Sequence, residues 1–126
     1  MKKILLGMFF FVSLMLCFSF PAWALIEDLD AANAAYRQGR YDEAIRLYTK
    51  VIEYRVPDID ELTDIYTGDK VEAYVNRGHC WMKKGNYDLG IADYTQALSR
   101  AYGKYGTFNR APIRYARGRV YYLMGD

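Results

Sequence analysis

The chain is 126 residues long and carries 17 basic residues against 15 acidic ones. That is one domain's worth of sequence with no Ser-, Pro- or Gly-rich linker to divide it, and the balance of charge lacks the basic excess that draws nucleic acid by counterion release. Two cysteines and one histidine leave little material for a disulfide framework or a metal cluster.

The first 24 residues differ from the rest. Lys2 and Lys3 form a positive end, Ile4 to Phe20 is an almost unbroken apolar run, and Ala22-Trp23-Ala24 places small residues at the two positions a signal peptidase reads. The pattern predicts a secretory signal peptide over residues 1–24, cut before Leu25, and hence an exported chain, periplasmic or secreted if bacterial. The other reading of the same run is a retained anchor at the short end of what spans a bilayer. A lipoprotein does not fit, because Leu16 precedes Cys17 where a small residue is needed. Lys2 and Lys3 are the only charges before Glu27, so the remaining chain has 15 basic and 15 acidic residues and is neutral. Cys80 is then the single thiol, expected to be a small buried packing residue.

From residue 25 the sequence repeats itself. Gln-Gly-Arg-Tyr-Asp-Glu-Ala-Ile-Arg-Leu-Tyr-Thr-Lys-Val-Ile surrounds Gly39, and Lys-Gly-Asn-Tyr-Asp-Leu-Gly-Ile-Ala-Asp-Tyr-Thr-Gln-Ala-Leu surrounds Gly85. Each glycine is followed by a tyrosine (Tyr41, Tyr87), a small residue (Ala44, Gly90), Ile45 or Ile91, Tyr48 or Tyr94, and a closing aliphatic pair. Those spacings lay one apolar stripe along an α-helix. Upstream of Gly85, Tyr74, Gly78, Trp81 and Met82 do the same for a preceding helix, so the unit is helix, glycine turn, helix. Two joints interrupt the repeats. Residues 56–69 begin at Pro57 and end in the turn signal Thr67-Gly68-Asp69. Residues 102–111 hold two glycines and lead into Pro112, which suits the first turn of a helix. The resulting layout is repeat one over residues 25–56, repeat two over 70–102, and a lone first helix from Pro112 to Met124 that stops at Gly125-Asp126. The last helix either caps repeat two, with Arg114 and Arg117 on a solvated side, or leads through Tyr-Leu-Met-Gly-Asp into a further second helix, and the expectation leans to the front of a longer protein.

This unit resembles the tetratricopeptide repeat, an antiparallel helix pair with a period of about 34 residues, over about residues 28–126. Repeat two carries the pattern best, with Tyr74, Gly78, Trp81, Gly85, Tyr87, Gly90, Tyr94 and Ala97 in register. Repeat one departs from it at Asp28 and Ala35, where the family has large aromatics, and repeat three matches at Gly118 and Tyr121. The resemblance implies an all-α solenoid of about two and a half repeats. In it Ala44, Gly78, Gly90, Ala97 and Gly118 let helix backbones approach, and Tyr41, Tyr48, Trp81, Tyr87 and Tyr94 fill the wedges between helices.

The family's first helices line a concave face. The positions facing it fall on Leu29, Asn33, Tyr36 and Arg37, then Val75, Asn76, His79, Met82 and Lys83, then Tyr115, Arg119, Tyr122 and Leu123. The candidate peptide-binding groove is therefore Asn33, Tyr36, Arg37, Asn76, His79, Lys83, Tyr115, Arg119 and Tyr122. Members that hold the carboxylate end of a chaperone tail use two Lys, two Asn and an Arg; Asn33 and Asn76 match the two Asn, but Leu29, Pro112 and Ala116 occupy the other sites, so that clamp is not carried over.

No catalytic constellation assembles. Beyond the leader the sequence has one His, one Cys and one Ser (His79, Cys80, Ser99), and neighbouring helical residues point about 100° apart, so no nucleophile and base pair up. Carboxylates such as Asp42, Glu43, Asp58, Asp60 and Glu61 fall in first turns and a joint, where solvent and helix dipoles account for them. The expectation is a non-enzymatic module without cofactor or metal that binds a protein or peptide, with an acidic segment favoured by Arg37, Lys83, Arg119 and His79. The rival expectation is an envelope enzyme or assembly factor whose catalytic domain lies beyond Asp126.

Overall fold

A computed structural model of the protein describes residues 22–54, 60–101 and 109–125. Residues 1–21, the start of the first joint and residues 102–108 of the second lie outside it. Among the described residues five helices follow one another: α1 (Ala22–Arg37), α2 (Tyr41–Glu53), α3 (Asp60–Lys83), α4 (Tyr87–Arg100) and α5 (Arg110–Met124). Each packs against the next, and α1 also touches α3. The result is an all-α solenoid with first helices α1, α3 and α5 and second helices α2 and α4.

The glycine turns set this hand-over. Gly39, Gly85 and Gly125 adopt φ of +72°, +77° and +86°, a left-handed conformation that a Cβ disfavours. Their amides donate to Tyr36, Met82 and Tyr122 carbonyls at 3.0, 3.1 and 3.2 Å, so each closes the last turn of a first helix. The second helices then open with acids (Asp42 and Glu43 in α2, Asp88 in α4) and close with bases (Lys50, Arg100), complementing the helix dipole at both ends. The Asn109 side chain caps α5 by accepting from the Ala111 amide at 3.1 Å, which starts this helix at Arg110 rather than at Pro112 and leaves Pro112 inside the first turn, where no amide is needed.

The core forms as two clusters. In the first, Leu29, Ala32 and Ala35 of α1 meet Ala44, Leu47, Tyr48 and Val51 of α2 and Ala73 and Cys80 of α3. In the second, Val71 and Tyr74 of α3 meet Tyr94, Ala97 and Leu98 of α4 and Ile113 and Val120 of α5. The stripe Ala44, Tyr48, Val51 and its copy Gly90, Tyr94, Ala97 are thus the buried faces of α2 and α4. Ile52 packs against both clusters.

Four expectations are corrected. Thr67-Gly68-Asp69 is not a turn, since the backbone is helical from Asp60 through Lys83; one interior glycine costs a helix about 1 kcal/mol, less than a continued hydrogen-bond ladder returns, and no proline interrupts this stretch. Leu29 lies in the core, not on the concave face. Trp81, Tyr41 and Tyr87 are only half-buried, and the wedge positions that are fully enclosed belong to Tyr48 and Tyr94. Gly118 brings no backbones together: a Cβ built on it meets nothing within 4 Å, whereas one on Gly78 lands 2.9 Å from the Tyr94 ring. The helix that would lie across Gly118 is absent from the described residues.

Candidate functional site

Two polar networks tie the helices together before any groove is left for a ligand. The first centres on Asn33, whose Oδ1 accepts from the Tyr48 hydroxyl at 2.6 Å and from Asn76 Nδ2 at 3.1 Å. Its own Nδ2 donates to Glu72 Oε1 at 3.0 Å. One side chain thereby joins α1, α2 and α3. Burial of Tyr48 raises its hydroxyl pKa, with the Cys80 and Glu72 charges adding to the effect, so the phenol stays a proton donor to Asn33. Asn33 and Asn76 are therefore committed chiefly to each other and to the fold.

The second network was not anticipated from sequence. Arg77 of α3 grips Asp93 of α4 with two bonds, Nε to Oδ2 at 2.9 Å and Nη2 to Oδ1 at 2.7 Å, and donates from Nη1 to Thr49 of α2 at 2.8 Å. Its guanidinium lies 5.6 Å from the Tyr74 ring centroid, a cation–π distance. Asp93 is 4% exposed. Burial alone works against the Arg77 charge, and the bonds and charge of Asp93 outweigh it and hold the pKa above its usual value. A bidentate, charge-assisted pair of this kind is strong in geometry and costly to break. The sequence did hold a signal: Asp93 stands in the slot that Leu47 fills in the first repeat, an acid in the middle of an apolar stripe.

What remains is a cleft of about 440 Å³ lined by Tyr36 of α1, by His79, Met82 and Lys83 of α3, by Tyr94 of α4, and by Pro112, Tyr115, Ala116 and Arg119 of α5. The structure brings together five of the nine sequence-predicted residues here: Tyr36, His79, Lys83, Tyr115 and Arg119. Asn33 and Asn76 sit in the internal network, exposed Arg37 lies outside the cleft lining, and Tyr122 is 83% exposed and outside it as well. The His79 ring bridges the floor, 6.4 Å from Tyr36 and 5.5 Å edge-on to Tyr94 between centroids. Burial lowers its pKa, and the neighbouring Lys83 charge lowers it further. At neutral pH His79 is therefore a neutral hydrogen-bonding group, and the charge of the cleft resides on Lys83 and Arg119. None of the lining residues is acidic.

Cys80, next to His79 in sequence, points away into the α1–α2–α3 core. Burial pushes its thiol up to about 11, which makes it a packing residue rather than a nucleophile. Among the described residues no group of three or more His, Cys, Asp or Glu stands close enough to hold a metal ion, and no helix is long and apolar enough to cross a membrane.

Comparison with known proteins agrees with this architecture. The Hsp70-Hsp90 organizing protein of Triticum aestivum is 31% identical over 77 residues, covering 61% of this chain and 11% of that protein, so the chain spans about a tenth of the relative's length. A family model described as tetratricopeptide repeat matches residues 29–106, the stretch that runs from within α1 through α4 with their two left-handed glycine turns, and the chain belongs to the tetratricopeptide repeat family.

Proposed function

We propose that this chain is an exported protein–protein interaction module that holds an extended acidic segment, or the free C-terminus of a partner, in the cleft between α1, α3 and α5. The observation that carries the reading is the lining itself: Lys83 and Arg119 present positive charge, His79 supplies a neutral donor and acceptor, and Tyr36 and Tyr115 offer ring faces, with no carboxylate among them. In a chain that is neutral outside its leader, such a patch favours a ligand of opposite charge, while the tyrosines contact the residues between its acids. Tyr115 is 70% exposed, a large ring left available for such contact. The wheat relative is named for organising Hsp70 and Hsp90, but the residues here do not reproduce a chaperone-tail clamp: Asn33 and Asn76 bond each other, and Pro112 and Ala116 bring no side-chain donor to the cleft. The ligand of this module is accordingly a different acidic segment. Export rests on the leader over residues 1–24.

The test is titration of an acidic peptide, and of its amidated form, into the full chain in mild detergent. Binding should weaken from low to physiological salt, where screening sets in at about 8 Å. Arg119→Glu should weaken it about tenfold, about 1.4 kcal/mol, and Arg46→Glu on the outer side of α2 should not. A peptide that binds regardless of salt and of Arg119→Glu, yet is lost on changing Arg46 or Lys50, would move the working surface to the convex side. Intact-mass analysis of protein from the cell envelope should give a chain starting at Leu25; a species retaining residues 1–24 would make the leader an anchor.

A further inference from the structure

Repeats one and two fill the same place in opposite ways. In repeat one the space between the first helices holds the Asn33 network, in which Asn33 accepts from Tyr48 and Asn76 and donates to Glu72. Counted from the turn glycines Gly39, Gly85 and Gly125, the positions of Tyr48, Asn33, Asn76 and Glu72 recur one repeat later as Tyr94, His79, Ala116 and Pro112. All four of these line the cleft. The cleft is thus the room that two missing polar side chains leave, and the carboxylate of the first network has no counterpart in it. The tyrosine has kept its hydroxyl. Tyr48 spends its own on Asn33 at 2.6 Å, whereas the Tyr94 hydroxyl bonds no group among the described residues, although Tyr94 is only 1% exposed. Every fully buried side-chain N or O among those residues has a partner, so this oxygen is not sealed in; it opens on the floor of the cleft. Burial, chiefly, and the nearby Tyr36 hydroxyl raise its pKa, while the Arg119 charge acts the other way. The phenol therefore stays a donor, with Tyr36 and Arg119 close to it.

We propose that the cleft seats the dianionic head of a phosphate monoester, a phosphorylated side chain of the partner segment, with the Tyr94 hydroxyl as its innermost donor. The inference rests on the acidic-segment reading above and names the acid. Charge and donor number select it. Lys83 and Arg119 bring two positive charges, neither in an ion pair among the described residues, and no lining residue is acidic. A carboxylate offers a single negative charge on two oxygens, whereas a phosphate monoester carries about −1.5 to −2 on three oxygens held by one atom. Two neighbouring carboxylates match that charge only by crowding two like-charged side chains into one cleft. With a phosphate, the Arg119 guanidinium pairs through parallel N–H bonds, Lys83 acts as a point charge, and Tyr94 and His79 reach the oxygen that faces the floor. Met82, Pro112 and Ala116 flank the ester side and compete for none of these oxygens. The part that the Asn33 oxygen plays for Tyr48 passes, in repeat two, to an oxygen of the ligand.

The probes are three peptides of one otherwise neutral sequence that differ at a single central residue, phosphoserine, glutamate or serine, titrated at neutral pH into the full 126-residue chain in mild detergent. The phosphoserine peptide should bind at least about tenfold more tightly than the glutamate peptide, and the serine peptide should not bind. Tyr94→Phe should weaken the phosphopeptide about tenfold, the loss of one hydrogen bond to a charged group. It should leave the melting temperature unchanged, because the hydroxyl removed has no partner among the described residues. Lys83→Gln, which leaves the floor intact, should cut the preference for phosphoserine over glutamate, since one of the two charges is gone. A glutamate peptide that binds as tightly as the phosphopeptide, both through Arg119, overturns the phosphate and leaves the acidic-segment reading standing. Failure of all three peptides overturns both. A preference for phosphoserine that survives Tyr94→Phe and Lys83→Gln alike puts the phosphate somewhere other than this cleft and sinks the proposal. Free phosphoserine that binds as tightly as the phosphopeptide would make a small monoester the occupant and overturn the phosphorylated segment.

Discussion

Helices α3 and α5 are two copies of one design, and among the described residues only α3 has helices packed on both sides of it. On α3 a neighbouring helix turns an arginine into one arm of a buried ion pair and a glycine into a contact surface; on α5 the half-buried arginine reaches only Thr95 of α4 and the glycine is exposed. The difference teaches that a repeat position has no fixed energetic meaning. What Arg77 or Gly78 contributes is set by whether Asp93 and Tyr94 stand opposite.

The largest expected contrast lies in the arginines. Removing one partner of a buried pair strands the other, at about 3–5 kcal/mol, so Arg77→Leu, which leaves the 4% exposed Asp93 alone, should lower the denaturation midpoint sharply. Arg117→Leu should change stability by less than about 0.5 kcal/mol. Equal losses would show that the Asp93 pair is not what distinguishes the two helices. Next come the glycines. Gly78→Leu drives a side chain into the Tyr94 ring and should cost about 1–3 kcal/mol by overpacking, while Gly118→Ala should raise stability by roughly 0.5–1 kcal/mol through helix propensity alone. Thermal melts of the two variants read both signs directly.

A smaller effect separates His79 from Arg119, which share a slot. Burial depresses the His79 pKa in the folded chain, so the unfolded chain takes up that proton first as pH falls. The stability this group contributes is complete above its ordinary value of about 6.5 and is lost as pH drops through that value toward the depressed one. His79→Gln should flatten this part of the pH–stability curve, and Arg119→Gln should leave it unchanged. A slope that survives His79→Gln would assign it to another group. The smallest effect is the control: Arg46→Ala, on the exposed side of α2, should stay within about 0.5 kcal/mol.

Much of this comparison could be read from the sequence because it rests on local spacing. The glycine turns announce themselves by residue type, and the stripe from Tyr41 to Ile52 and its copy from Tyr87 to Leu98 dictate which faces of α2 and α4 go inward. The family register also brought Tyr36, His79, Lys83, Tyr115 and Arg119 to one surface. What it missed depends on partners distant in sequence. Asn33 and Asn76 are 43 residues apart, and each looks like an available groove amide until the other is placed beside it. Asp93 lies 16 residues from Arg77, across a turn, and only its place in an apolar stripe hints at burial. The long α3 was hidden for the opposite reason. Thr67-Gly68-Asp69 has turn-forming composition, and continued helical hydrogen bonding outweighed it.

Ile52 gives the solenoid a property that neither core cluster has alone. Because its side chain packs against both, opening one cluster strips contacts from the other, and α2, α3 and α4 share a common fate on unfolding. In a linear array where stability is a sum over neighbours, that coupling makes the middle a single cooperative block and leaves α5, which among the described residues packs chiefly against α4, outside it. Amide hydrogen exchange should accordingly run in two tiers, with Ile113 and Val120 releasing their protons through fraying of α5, and Tyr48, Cys80 and Tyr94 only when the whole block opens. Truncating Ile52 to Ala would split that upper tier into two.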